Sequence, residues 1–171
     1  MKISLPRKPD FLGVAEITEK LRRETKIEHL YFVKDNQAFV WFKGYKEYVI
    51  PPEEQILRMK DSLVLHNHVY GSSFSFEDIE AIVKYYAKEL RIICQNRTFI
   101  ISRPKVGWGF SFEDQNHYKQ YQEAFNEANK YMNRLIESRA MFESERNDFI
   151  NHFTWKIFFT KFEVDYKHYG L

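Results

Sequence analysis

The sequence predicts an α+β fold, and three observations carry that reading. Short runs rich in aromatic and β-branched residues, at 27–33, 38–42, 91–95 and 98–102, are bounded by turn-forming residues, as strands are. Between them, 77–90 places Ile79, Ile82, Val83, Tyr86 and Leu90 on one face of a helix. From Asp114 onward, Tyr118, Tyr121, Phe125, Ala128, Met132 and Leu135 recur at alternating three- and four-residue steps, a heptad seam.

Taken in order, residues 1–10 are basic and contain proline, so an extended arm is expected. Residues 11–25 carry Leu12, Val14, Ile17 and Leu21 and read as a short helix. The runs 27–33 and 38–42 form a hairpin across Lys34, Asp35, Asn36 and Gln37. Gly44 breaks the second run, 47–50 reads as a third strand, and Pro51 and Pro52 end it. A short helix is expected over 52–60, with proline near its start. Residues 62–66 are an apolar run suited to a buried strand. A second hairpin is expected around Asn96 and Arg97. The core therefore reads β-β-β-α-β-α-β-β over 27–103. Residues 1–26 precede it as an arm and helix, and 104–171 follow as an aromatic-rich helical extension.

In that extension, one long helix packed on the core is the first reading, and a dimerising coiled coil the second. Arg139 and Arg146 interrupt the seam that Phe142 and Phe149 continue. The stretch 153–162 fits helix or strand, and 164–169 is strand-like.

The chemistry gathers in 63–78, Leu-Val-Leu-His-Asn-His-Val-Tyr-Gly-Ser-Ser-Phe-Ser-Phe-Glu-Asp. His66 and His68, two apart on a strand, point to one face. Asp78 falls in the first turn of the next helix and can fold back to the same point. Two histidines and a carboxylate make a three-ligand, open zinc arrangement. Ser75 and Asp78 also match an S-x-x-D/E capping box, which is compatible because a cap fixes where Asp78 points. The alternative is a pair of ordinary strand-end histidines.

This stretch resembles the JAB/MPN (JAMM) metallopeptidase motif, H-x-H-P followed by S-x-x-D. It is nearest in wording to RadC-like and phage- or toxin-associated bacterial members. His66, His68 and Asp78 match the zinc ligands, and Ser75 matches the motif serine. Val69 stands where the family has proline, and the loop is somewhat shorter. The resemblance covers about 27–103. It implies a cytidine-deaminase-like curved mixed sheet flanked by helices, with Zn2+ as cofactor. It also implies hydrolysis of a peptide or isopeptide amide in a peptide or protein substrate. A Glu on an early strand would take a proton from the water that zinc activates. Glu28 is the choice, with Glu16, Glu24 and Glu47 as competitors. Ser75 would steady the oxyanion. His29 should face away from the site, and His117, His152 and His168 read as surface residues.

Other classes are disfavoured. The net charge of +2 is too small to argue for nucleic acid. A basic patch of Lys2, Arg7, Lys8, Arg22 and Arg23 is the one feature for a RadC-like role near DNA. The single cysteine, Cys94, excludes an internal disulfide and reads as buried. The N-terminus lacks the apolar core of a signal peptide, and no apolar run is long enough to span a membrane, so a cytoplasmic protein is expected. A non-enzymatic assembly protein on the same fold, partnered or dimerised through the C-terminal helix, is the alternative function.

Overall fold

The computed structural model describes residues 2–9 and 13–170, apart from the side chain of Asp148. Phe11 and Leu12, at the start of the first expected helix, lie outside the described residues. The elements run β1 (Pro6–Arg7), α1 (Val14–Arg23), β2 (His29–Lys34), β3 (Gln37–Lys43), α2 (Glu53–Ile56) and β4 (Leu63–Asn67). They continue α3 (Phe76–Lys84), β5 (Glu89–Ile93), β6 (Thr98–Ser102), α4 (Gln115–Glu137), α5 (Arg146–Thr160) and β7 (Asp165–Tyr169). A 3-10 turn, Leu57–Met59, extends α2, and another, Glu143–Glu145, leads into α5.

All seven strands form one sheet in the order β1-β3-β2-β4-β5-β6-β7. It is mixed: β4 and β5 run parallel and every other pairing is antiparallel. The α+β class is thus as expected. The sheet draws on all three segments of the chain, because β1 joins β3 at one edge and β7 joins β6 at the other.

Side chains alternate across the sheet, and each face is covered. Helix α1 packs Ile17 and Leu21 on Tyr31, Val33, Leu65 and Ile93. The larger core lies on the opposite face. There Phe32, Val64, Ile92, Phe99 and Ile101 meet Ile79 and Ile82 of α3 and Trp155, Phe158 and Phe159 of α5.

The first hairpin turns on Asp35 and Asn36, both at positive φ (49° and 61°). That is the two-residue turn whose twist suits paired strands. The second hairpin reverses at Gln95 and Asn96, because Cys94 N–H donates to the Arg97 carbonyl (2.9 Å). Four expectations need correction. Residues 47–50 form no strand. Helix α3 ends at Lys84, and Leu90 lies on β5, where the parallel ladder from Leu63↔Glu89 to Asn67↔Ile93 outweighs the helical period. The heptad stretch is two helices, because the chain reverses after Ser138 through Arg139 at φ 60°. Phe142 is consequently exposed between them, and Tyr118 and Phe125 are also exposed, while Ala124, Ala128 and Met132 make the buried face of α4. The fourth is His152, which is 4% exposed rather than on the surface.

Residues 153–160 are helical and 165–169 are a strand, as their patterns allowed. Among the described residues, no helix is long and apolar enough to cross a membrane.

Candidate metal centre

The register of β2 against β4 brings the site together. Leu30 pairs with His66, the last ladder pair at that end. Carried two residues further, the same register sets Glu28 across from His68. Glu28, His66 and His68 therefore share one face, that of Leu30 and Val64, beneath the N-terminus of α3. All three are buried, at 6%, 5% and 9% exposure. One donor atom from each lies within 4.8 Å of the other two, and among the described residues this is the one such trio. Glu28 Oε2 is 3.4 Å from His66 Nε2, and Asp78 Oδ2 is 3.2 Å from His68 Nε2. Each imidazole thus faces a carboxylate.

The outward nitrogens are held. His66 Nδ1 lies 2.7 Å from the carbonyl of His29, and His68 Nδ1 lies 3.1 Å from that of Ser72. A carbonyl only accepts, so each Nδ1 carries the proton and donates, which leaves Nε2 turned inward. This is the outer support that metal-ligating histidines need. The donor set is imidazole nitrogen and carboxylate oxygen, which suits a borderline-soft divalent cation. The residues fit a metal.

Ser75 and Asp78 form the expected capping box. Ser75 Oγ accepts from Asp78 N–H (3.1 Å), and Asp78 Oδ2 accepts from Ser75 N–H and Oγ–H (2.8 Å each). The cap aims Asp78 at His68. Burial penalises charge on both groups. For His68 that penalty is exceeded by the facing Asp78 carboxylate, then by Glu28 and the Ser72 carbonyl, and its pKa rises to about 9. Burial would raise Asp78, but His68, His66 and the Ser75 hydrogen bond hold it well below the usual carboxylate range. A proton on His68 Nε2 occupies the position a cation would take.

Of the four glutamates considered as the base, only Glu28 belongs to the trio. Glu16 caps α1 by accepting from Gly13 N–H (3.0 Å). Glu24 accepts from the Lys26 and Ile27 amides. Glu47 is exposed and accepts from the Tyr70 hydroxyl (3.2 Å), although it lines the same cavity. That cavity, of ≈ 470 Å³, is lined by Glu28, Glu47, Glu77 and Asp78 with His66, His68 and Ser75, and among the described residues by no Lys or Arg.

Two supporting residues carry no motif. Asn67 lies between the histidines, and its amide bridges the backbone on both sides of Glu28. Its Oδ1 accepts from His29 N–H (2.7 Å), and its Nδ2 donates to the Ile27 carbonyl (3.0 Å). The other flank is Gly44, whose N–H donates to the Glu28 carbonyl (2.8 Å) while Glu28 N–H donates to Tyr45 O (2.7 Å). A Cβ at Gly44 would stand 2.4 Å from the Tyr48 carbonyl, so only glycine lets the chain pass there. A buried amide inside an apolar strand was the one available signal for Asn67. For Gly44 the sequence showed only a strand break.

The His29 ring lies away from the site, stacked on Trp41 at 5.7 Å and accepting its indole N–H (2.9 Å). Cys94 is buried, its Sγ 3.5 Å from the Ser72 carbonyl, and burial pushes its thiol up to about 12, so it offers no thiolate.

No family model matches the chain, and no curated protein or solved structure shows significant similarity to it.

Proposed function

We propose that the chain is a zinc-dependent hydrolase of the JAB/MPN type that cleaves a peptide or isopeptide amide bond. The observation that carries this reading is the meeting of Glu28, His66 and His68 within 4.8 Å, with Asp78 against His68. His66 and His68 would hold the metal through Nε2, with Asp78 as the third ligand. Bound zinc would supply a Lewis acid and acidify a water for attack.

Glu28 is placed to take the proton of the attacking water and return it to the leaving amine. Burial and the backbone hydrogen bonds on both its flanks hold that carboxylate in position. The Ser75 hydroxyl lines the same cavity, and turned from Asp78 it is a neutral donor for the carbonyl oxygen. On this reading the substrate is a peptide or protein amide, and a cytoplasmic location belongs to the same proposal.

The test is elemental analysis beside amide cleavage. About one zinc per chain is expected in the wild type, as a site with three protein ligands would hold. His68→Ala and Asp78→Asn should lose it. Glu28→Gln should keep zinc and lose hydrolysis. Zinc lost in Glu28→Gln but kept in Asp78→Asn would exchange the two carboxylates' roles, and no zinc in the wild type after reconstitution would end the metal reading.

One observation favours a second reading, an assembly role on the same fold: Tyr118, Phe125 and Tyr131 of α4 are 43%, 38% and 38% exposed. Such a role predicts association that chelation leaves intact and that Phe125→Asp abolishes, measured by sedimentation.

A further inference from the structure

Beside the cavity at the metal centre lies a second, apolar one of ≈ 240 Å³. Val49, Ile50, His66, Glu77 and Asp78 line both. The floor of the second chamber is core: Leu30, Val64 and Leu90, from three neighbouring strands. Ala81 and Ile82 of α3 form one wall, and Pro51 and Ile56 the other. Among the described residues, its polar lining side chains are His66, Glu77 and Asp78, all shared with the cavity at the metal centre.

We propose that this chamber receives the apolar side chain of a residue adjoining the scissile amide. The substrates are then amides carrying a Leu-, Met- or Phe-like residue at that position. The inference rests on the hydrolase reading. Size supports a single side chain, because pockets for whole small molecules run to roughly 300–1,000 Å³. The apolar floor and walls offer a polar head group no partner away from the junction, so an Asp or Asn side chain reaching into the chamber would lose hydrogen bonds that water gives it. Glu77 and Asp78 at the junction add repulsion against an acidic residue.

The buried Met59 lines the chamber and reports on it. The full chain, labelled with 13C at its four methionine methyls, is titrated with N-acetyl-leucinamide, N-acetyl-glycinamide and N-acetyl-aspartic acid amide. Met59→Leu assigns the signal. A saturable shift of the Met59 methyl with the leucine amide is expected. Binding of the other two should be weaker by about tenfold or more. Ala81→Phe, or Ala81→Leu should the larger side chain prevent folding, fills the chamber. It should erase the leucine advantage while zinc content stays as in wild type.

A Met59 methyl that does not move overturns the inference. So does an equal response to all three amides, or a leucine advantage that survives the filled chamber. The zinc-loaded enzyme separates the two readings. Equal kcat/KM for all three residue types would leave the hydrolase standing and remove the chamber's role. A selective Met59 shift without cleavage of any amide would keep an apolar side-chain site and remove the hydrolase.

Discussion

Asn67 stands between two histidines that point the same way, and it does neither histidine's work. The β2–β4 ladder stops at Leu30 and His66. One position further, the Asn67 amide replaces the missing backbone partner, accepting from His29 N–H and donating to Ile27 O. Glu28 is thereby held on the histidine side although it lies outside β2. Asn67→Ala would strand a buried N–H and a half-buried carbonyl, at a cost of about 1–3 kcal/mol for the N–H and less for the carbonyl. Urea unfolding of the metal-free protein measures this, and a loss under about 0.5 kcal/mol would contradict it. Zinc affinity should fall by about tenfold or more, as it does when outer-shell support is removed. Glu28 is chosen from four glutamates by its place at the start of the first strand and by the family resemblance. The register that sets it across from His68 spans about forty residues of sequence, and no local pattern encodes it.

At the scale of elements, the least expected feature is the joint between α5 and β7. The Tyr166 hydroxyl is hydrogen-bonded to His152 Nδ1 at 2.6 Å, and His168 lies against the same ring at 4.8 Å. Burial, then the neighbouring His168, Lys156 and Arg97, lower the His152 pKa to about 4. The folded protein therefore keeps this histidine neutral where an unfolded chain, with a pKa near 6.5, would protonate it. Its contribution is complete above about pH 6.5 and is lost as pH falls to about 4, amounting to roughly 3 kcal/mol across that window. His152→Gln should flatten the corresponding slope in unfolding free energy against pH. An unchanged slope would remove His152 from acid sensitivity. Two other boundaries show why element ends were hard to read. Neither the stop of α3 at Lys84 nor the break after α4 is marked by glycine or proline. Tyr86 and Arg139 adopt positive φ (56° and 60°) instead, under the demands of the sheet and of α5 folding back on α4.

Across the whole molecule, the C-terminal helices hold up the site although they contribute no residue to it. The Trp155 indole donates to the Phe74 carbonyl at 2.8 Å, in the loop between His68 and Ser75. Phe76, the first residue of α3, packs on Phe112, Tyr121 and Trp155. Strand β7 also covers β6, which would otherwise be a bare edge. A fragment of residues 1–103 would expose the face on which Trp155, Phe158 and Phe159 rest. It is expected to be unfolded and unable to bind zinc, as read by amide dispersion in a proton–nitrogen spectrum and by elemental analysis. A dispersed spectrum with bound zinc would show instead that the smaller unit stands alone.

What the sequence determined by itself is local. The Asp35–Asn36 turn follows from two residue types that tolerate left-handed backbone, and the Ser75–Asp78 cap follows from side chains within reach of their own amides. The shared face of His66 and His68 follows from the two-residue period of a strand. The tertiary structure alone decided how Glu28 is brought to them, what holds that glutamate, where α3 gives way to β5, and that an apolar chamber lies beside the site. Those features depend on strand register and on packing between distant segments. Local propensity carries no information about which segments will meet.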